Sequence, residues 1–223
     1  MKPYYEHGGV SIYHGDCREV LPTLPWQAEA CITDPVWPNK PDHLFCGIDP
    51  QSLLTQALEL LPLRLRQLVI VMRNDSDPRV LSAVPPGMRF QQMCWLQYVM
   101  PGYLGRVLGG SECAYVFGQP IPSAPGSRVI PSMSPKAKPG DRTRNGHPCS
   151  RALIHFQWLV RWFSMSDEIV LDPFCGSGTT LRAAKDQGRR AIGIEIEERY
   201  CEIAAKRMSQ EVLFPSVSAQ RET

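Results

Sequence analysis

The sequence predicts an α/β fold, an open sheet of the mononucleotide-binding kind with helices on its faces. Three stretches carry that reading. Residues 168–208 run strand, glycine turn, helix, strand, acid, helix, the order of a nucleotide-binding half-sheet. Leu68-Val69-Ile70-Val71-Met72 is a short unbroken apolar run, as in a strand covered on both faces. Ala30-Cys31-Ile32 is a second apolar run, and it ends in Thr33-Asp34-Pro35-Val36-Trp37-Pro38-Asn39. That places an acid, a proline and an aromatic at the carboxyl end of a buried strand.

Composition bounds the rest. A chain of 223 residues reads as one domain over 1–223, with residues 73–146 carrying edge strands and a small recognition region. The hydrophobic share of 43% supports a real core. No run approaches the ~20 apolar residues of a membrane helix. The N-terminus has no signal-peptide pattern. The eight cysteines are scattered without a C-x-x-C pair, which argues against a zinc or disulfide framework and for reduced thiols in a cytoplasm. No metal is expected. The net charge of +2 neither demands nor excludes nucleic acid, so local charge decides.

In chain order, Val10 to His14 alternates as a strand, and Gly15-Asp16 closes it. Cys17 to Leu24 reads as a short helix or turn, and Glu29 to Thr33 as the strand before the Asp-Pro. Gln51 to Arg66 has leucines at helical spacing, with Pro62 as a kink or end. Leu68 to Met72 is a strand. Arg73 to Phe90 reads as a connection with a short helix. Met93 to Met100 and Cys113 to Phe117 read as strands split by a glycine-rich segment. Residues 118–146 are rich in proline and form the longest irregular region. Ala152 to Phe163 carries a helical apolar stripe. Glu168 to Leu171 is a strand, Thr179 to Gly188 a helix, Arg190 to Ile194 a strand ending at Glu195, and Glu197 to Met208 a helix.

Two motifs carry chemistry. An Asp34 carboxylate and the Pro35 carbonyl can accept hydrogen bonds from one amino group, and the Trp37 indole can stack on a flat ring. In Asp172-Pro173-Phe174-Cys175-Gly176-Ser177-Gly178-Thr179-Thr180, the glycines let the chain turn sharply and let a ligand approach the backbone. Glu195, seventeen residues beyond Gly178, can accept from both hydroxyls of a ribose. The third glycine of a dinucleotide fingerprint is replaced by Leu181, and the lysine of a Walker loop is absent. Asp172 would repel a pyrophosphate and suits a cationic ligand without phosphate.

With these motifs quoted, the chain resembles the S-adenosylmethionine-dependent DNA amino methyltransferases. Asp172 to Thr180 is similar to their cofactor motif, and Asp34-Pro35-Val36-Trp37 to their catalytic tetrad. The tetrad comes first and the cofactor motif last, which resembles the circularly permuted β class. The resemblance implies a Rossmann-like methyltransferase sheet, mostly parallel with one antiparallel hairpin edge. It implies S-adenosyl-L-methionine as cofactor, held by Asp16, His147, Asp172, Phe174, Gly176, Ser177, Gly178, Thr179 and Glu195. Asp34, Pro35 and Trp37 would be catalytic, acting on a base flipped out of double-stranded DNA. Two positions depart from the pattern. Val36 stands where the tetrad has proline, and the lysine that follows His-Pro in the family appears as Arg151 at a shifted offset. Cys149 is expected to be structural.

Arg128, Lys136, Lys138, Arg142 and Arg144, against the one acid Asp141, mark a basic stretch suited to phosphate contact. Asp at the head of the tetrad leans toward adenine N6, with cytosine N4 as the alternative. An RNA or protein-amide methyltransferase, or a cofactor- and DNA-binding module without catalysis, are the competing classes. A homodimer acting at DNA in a bacterial or phage-infected cytoplasm is the expected setting.

Overall fold

The computed structural model describes residues 1–24, 28–37, 49–62, 64–99, 103–104, 107–108, 112–119, 131–138, 140–141 and 151–210. In chain order its elements are β1 (Tyr5–His7), β2 (Val10–His14), α1 (Cys17–Val20), β3 (Ala28–Thr33), α2 (Pro50–Glu59) and β4 (Gln67–Arg73). There follow β5 (Phe90–Leu96), β6 (Tyr103–Leu104), β7 (Val107–Leu108), β8 (Glu112–Gly118) and α3 (Leu153–Phe163). The last four are β9 (Ile169–Asp172), α4 (Thr179–Asp186), β10 (Arg190–Glu195) and α5 (Glu198–Ser209).

Eight strands form one sheet in the order β1-β2-β10-β9-β3-β4-β8-β5. The five from β2 to β4 are mutually parallel. The expected antiparallel edge is β8 with β5, and the structure adds a second one, the short β1 pairing with β2. The sequence reading had no strand at Tyr5–His7, and none in the glycine-rich segment, where β6 and β7 form a separate small hairpin. Both are two or three residues long, too short for a periodicity signal.

The sheet is covered on both faces. On one, Phe156, Leu159, Val160 and Phe163 of α3 join Leu181 and Ala184 of α4 and Cys201, Ala204 and Met208 of α5. On the other, Cys17 and Val20 of α1 and Ala57 of α2 form one cluster. Leu54 and Leu58 of α2 form a second with Val80 and Ala83. This double cover explains why β4 and β9 read as unbroken apolar runs. The helix expected from Gln51 to Arg66 stops at Glu59, because Pro62 offers no amide to continue the ladder. The strand expected over Met93–Met100 begins earlier, at Phe90, and ends at Leu96. Beyond it the backbone pairs with the proline-rich region instead: Ala137 donates to the Gln97 carbonyl (2.8 Å) and Val99 to the Ala137 carbonyl (2.9 Å).

All five parallel strands end on one edge, at His14, Glu195, Asp172, Thr33 and Arg73. From β9 the chain crosses through α4 to β10 on one side, and from β3 through α2 to β4 on the other. The crevice between β9 and β3 is therefore the topological switch point, where open α/β sheets bind ligands.

At the opposite end of the sheet, Gly118 holds φ 120°, and a Cβ there would lie 2.1 Å from the Arg66 carbonyl oxygen. Gly118→Ala should therefore cost about 3 kcal/mol of unfolding free energy, read by urea denaturation; a cost below ~0.5 kcal/mol would show that this approach is not tight.

Candidate active site at the switch point

The glycine turn is built as the sequence implies. Gly176 and Gly178 take φ 50° and 77°, left-handed values that glycine alone adopts without strain. The Gly178 amide closes the turn on the Cys175 carbonyl (2.8 Å). A dinucleotide fingerprint uses its third glycine to let helix and strand pack closely. Here that place is Leu181, and the strand supplies the space instead: a Cβ on Gly193 of β10 would meet Leu181 Cδ1 at 2.6 Å and Cys175 Sγ at 2.9 Å.

Glu195 ends β10 and reaches across to this turn. Its Oε2 accepts from the Gly176 amide and its Oε1 from the Glu197 amide, both at 2.9 Å. Burial pushes its carboxyl up, and those amides oppose the shift. The next residue, Ile196, is 48% exposed and offers apolar surface beside the carboxylate.

Thr179 and Ser177 are buried and fixed from α5. Arg207 Nη1 donates to Thr179 Oγ1 (3.0 Å) and to the Ser177 carbonyl (3.4 Å). Burial pulls the Arg207 guanidinium down to about 10. The sequence reading missed this arginine, although a cation within the stripe Cys201, Ala204 and Met208 was a legible signal.

Asp172 is 2% exposed and joins the two motifs. Its Oδ1 accepts from Thr33 Oγ1 (2.7 Å) and the Phe174 amide (3.1 Å). Its Oδ2 accepts from Thr180 Oγ1 (2.5 Å). Phe174 itself packs against the clusters of α1 and α2. Burial raises the Asp172 carboxyl to about 6, against the pull of its three donors.

Asp16 caps α1 through the Arg18 amide (2.9 Å) and pairs with the Arg18 side chain (2.5 Å). That pairing lowers its carboxyl. Gly15 before it donates to the Glu195 carbonyl (2.9 Å), so Asp16 stands on the same edge as the turn.

Asp34 follows Thr33 and belongs to a buried ionic network. Arg151, at the start of α3, donates from Nε to Asp34 Oδ2 (2.5 Å) and from Nη2 to Oδ1 (3.4 Å). Its Nη1 reaches Glu112 Oε1 (3.2 Å) on β8, and Tyr98 Oη donates to Glu112 Oε2 (2.8 Å). Burial alone would lower the Arg151 guanidinium, and the Asp34 and Glu112 carboxylates more than reverse that. Pro35 is buried and Val36 half-buried. Trp37 is 3% exposed, its Nε1 donates to the Val71 carbonyl (3.1 Å), and the Arg151 guanidinium lies 4.0 Å from its ring centroid. The indole face that the sequence offered for stacking thus carries an arginine in this structure. Glu112 and Tyr98 were not singled out from the sequence.

Of the basic stretch, Lys136 and Lys138 are described, and both are exposed. They flank Ala137, which pairs with Gln97 and Val99 on either side of Tyr98. Arg128, Arg142, Arg144, His147 and Cys149 lie outside the described residues. Among the described residues no group of three or more His, Cys, Asp or Glu is placed to hold a metal ion. No described helix is long and apolar enough to cross a membrane.

Comparison with known proteins bears on this geometry. Residues 68–206 match the family model for N6/N4 DNA methylases, described as DNA methylase. The chain is 37% identical to YubD of Escherichia coli (strain K12) over 98 residues, 44% of this chain and 41% of that one. It is 40% identical to the type II methyltransferase M.ScaI of Streptomyces caespitosus over 82 residues, 37% of this chain and 27% of that one. The matches thus span less than half the length of these curated relatives. Among solved structures, the M1.HpyAVI–SAM complex superimposes with a TM-score of 0.68 at 23% identity, covering 90% of this chain and 100% of that one. The cytosine-N4-specific PvuII DNA methyltransferase gives 0.73 at 17% identity, covering 96% and 91%.

The buried Asp172 leads to a pH dependence. Its folded value of about 6 lies above the ordinary carboxyl value of 3.8, so the folded state holds the proton more tightly. Its ionisation therefore costs stability progressively as pH rises from 3.8 to 6, and fully above that. Asp172→Asn should lack this slope. Urea unfolding of both proteins at pH 4.5, 5.5 and 7 should show the variant's relative deficit shrinking as pH rises. A difference independent of pH would contradict the assignment.

Proposed function

The chain belongs to the N6/N4 DNA methylase family, and from that premise we propose that it moves a methyl group from S-adenosylmethionine to the exocyclic amino group of a base in double-stranded DNA, adenine N6 ahead of cytosine N4. The observation that carries this reading is the meeting of Asp34 and the glycine turn in one crevice, tied through Asp172 to Thr33 and Thr180.

The residues present fit the cofactor. Glu195 aims a carboxylate past the Gly176 amide, where ribose hydroxyls can donate to its remaining lone pairs. Exposed Ile196 offers a surface for a flat ring. The turn carries no lysine or arginine of its own between Asp172 and Thr180, which suits a ligand without phosphate. Bound S-adenosylmethionine would supply an electrophilic methyl on a sulfonium.

The remaining work falls to the chain. An aromatic amino group is a poor nucleophile because its lone pair is delocalised into the ring. Asp34 and the Pro35 carbonyl, accepting from both amino protons, localise that pair as the nitrogen becomes tetrahedral, which places acceptors where positive charge develops. The nitrogen so prepared would accept the methyl that the bound cofactor would supply, the pair of the sulfur–carbon bond staying with sulfur. The amino proton then leaves along the hydrogen bond to Asp34. Holding both partners in line contributes much of the rate. Taking the base out of the duplex costs a few kcal/mol. Phosphate contact falls to the flank where Lys136 and Lys138 stand exposed beside Tyr98.

Incubating the protein with unmethylated duplex DNA and S-adenosylmethionine, followed by digestion and mass spectrometry, should yield N6-methyladenine. Asp34→Ala should lower the yield at least ~10²-fold, the scale for losing one preorganised group. N4-methylcytosine would keep the mechanism and change the base; no methylated nucleoside would overturn the reading. Replacing Lys136 and Lys138 together by Gln should flatten the slope of log K against log salt by about 2, and an unchanged slope would remove them from the DNA contact.

A further inference from the structure

Arg151 occupies the site in a particular way. Adenine and cytosine each present an amino group on a carbon doubly bonded to a ring nitrogen, a planar amidine with N–H donors at its edge and a π face. A guanidinium has the same shape and the same donors. In this structure it makes two of the contacts expected of the base, on Asp34 and on Trp37. Its Nε and Nη2 donate to the two oxygens of Asp34, and its carbon centre lies 4.0 Å over the Trp37 ring. Its third contact is of another kind. Nη1 reaches Glu112 Oε1 at 3.2 Å, and Tyr98 fixes that carboxylate from its other oxygen. Glu112 is 3% exposed, so a second buried anion lies beside the first.

We propose that Arg151 is a specificity-determining residue that stands in for the target base: it fills the acceptor of Asp34 and the face of Trp37 until an amino-bearing base displaces it onto Glu112. The inference rests on the methyltransferase reading of this site. Its consequence is a threshold on what can enter. Removing one partner from a buried ion pair is costly, and only a base that brings N–H donors replaces what Asp34 loses. A base with a carbonyl at that position, such as thymine, would set an oxygen against the Asp34 carboxylate and leave the exchange unfavourable. Discrimination thus comes from a competitor built into the site as well as from the fit of the right base. Glu112 keeps the displaced cation paired, which holds the exchange near balance.

The test is steady-state methyl transfer from labelled S-adenosylmethionine to unmethylated genomic duplex, comparing wild type, Arg151→Lys and Glu112→Gln. Lysine keeps the charge and loses the planar fork and the stacking, so the resting state weakens and more of the protein is open to the base. Apparent affinity scales with that open fraction, and the KM for DNA should fall about three- to tenfold. Glu112→Gln removes the second anion while keeping an acceptor for Tyr98. Arg151 then stays on Asp34, and the KM should rise by a comparable factor. Opposite shifts support the proposal. KM values that stay put or move together, with losses in kcat or thermal midpoint, would make Arg151 a structural ion-pair partner and overturn it. If Arg151→Lys fails to fold, Glu112→Gln decides alone. A wild-type protein that transfers no methyl group would overturn the underlying reading, and this inference with it; an active wild type with unmoved KM values overturns the inference alone.

Discussion

The carboxylate of Asp172 closes two motifs into one site. Thr33 ends the strand that delivers Asp34, and Thr180 opens the helix that follows the glycine turn; both donate to the same buried acid. Burying an unpaired carboxylate would cost several kcal/mol, so the three donors are required where they stand. Strand β3 cannot slide against β9 without stripping Asp172 of a partner. The switch-point topology brings the two strand ends together, and Asp172 sets their separation and register. The same burial leaves the carboxyl raised to about 6, so the joint carries an electrostatic cost that weakens as pH falls.

On that frame the charges fall into three layers. At the turn, Glu195 is held by the backbone amides of Gly176 and Glu197. Arg207 pins the start of α4 from behind. In front, Arg151 pairs with both Asp34 and Glu112. This last group draws its members from β8, from the start of α3 and from the loop after β3, so it exists only when both sides of the sheet are in place. A cation shared between two carboxylates has two stations available without desolvating a new group, which favours a site whose contents are meant to change.

Much of this was legible in the sequence. Glycines between an apolar run and a helix, with an acid seventeen residues on, state a turn geometry that few folds share, and the torsions of Gly176 and Gly178 follow it. Asp34 at a strand end was legible because the strand is buried on both faces and reads as a block of apolar residues. The replacement of the third glycine by Leu181 is explained in space by Gly193, a compensation that no linear pattern displays. The Asp34–Arg151 pair spans 117 positions and the Arg151–Glu112 pair 39; pairings at such separations are set by the sheet order, not by local periodicity. For the same reason the pairing of Ala137 with Gln97 and Val99 was hidden within a proline-rich stretch. The burial of Trp37 was hidden too, since an aromatic at a strand end serves a core or a ligand equally well.

The claim on which the rest depends is that the glycine turn and Asp34 line one crevice shared by cofactor and base. A crystal structure of the protein with S-adenosylhomocysteine, the demethylated product, tests it most directly. The arrangement predicts ribose hydroxyls within hydrogen-bond distance of the Glu195 carboxylate and the sulfur facing the Asp34 side of the β9–β3 crevice. A molecule bound away from Gly176–Gly178, or with its sulfur turned from Asp34, would contradict it.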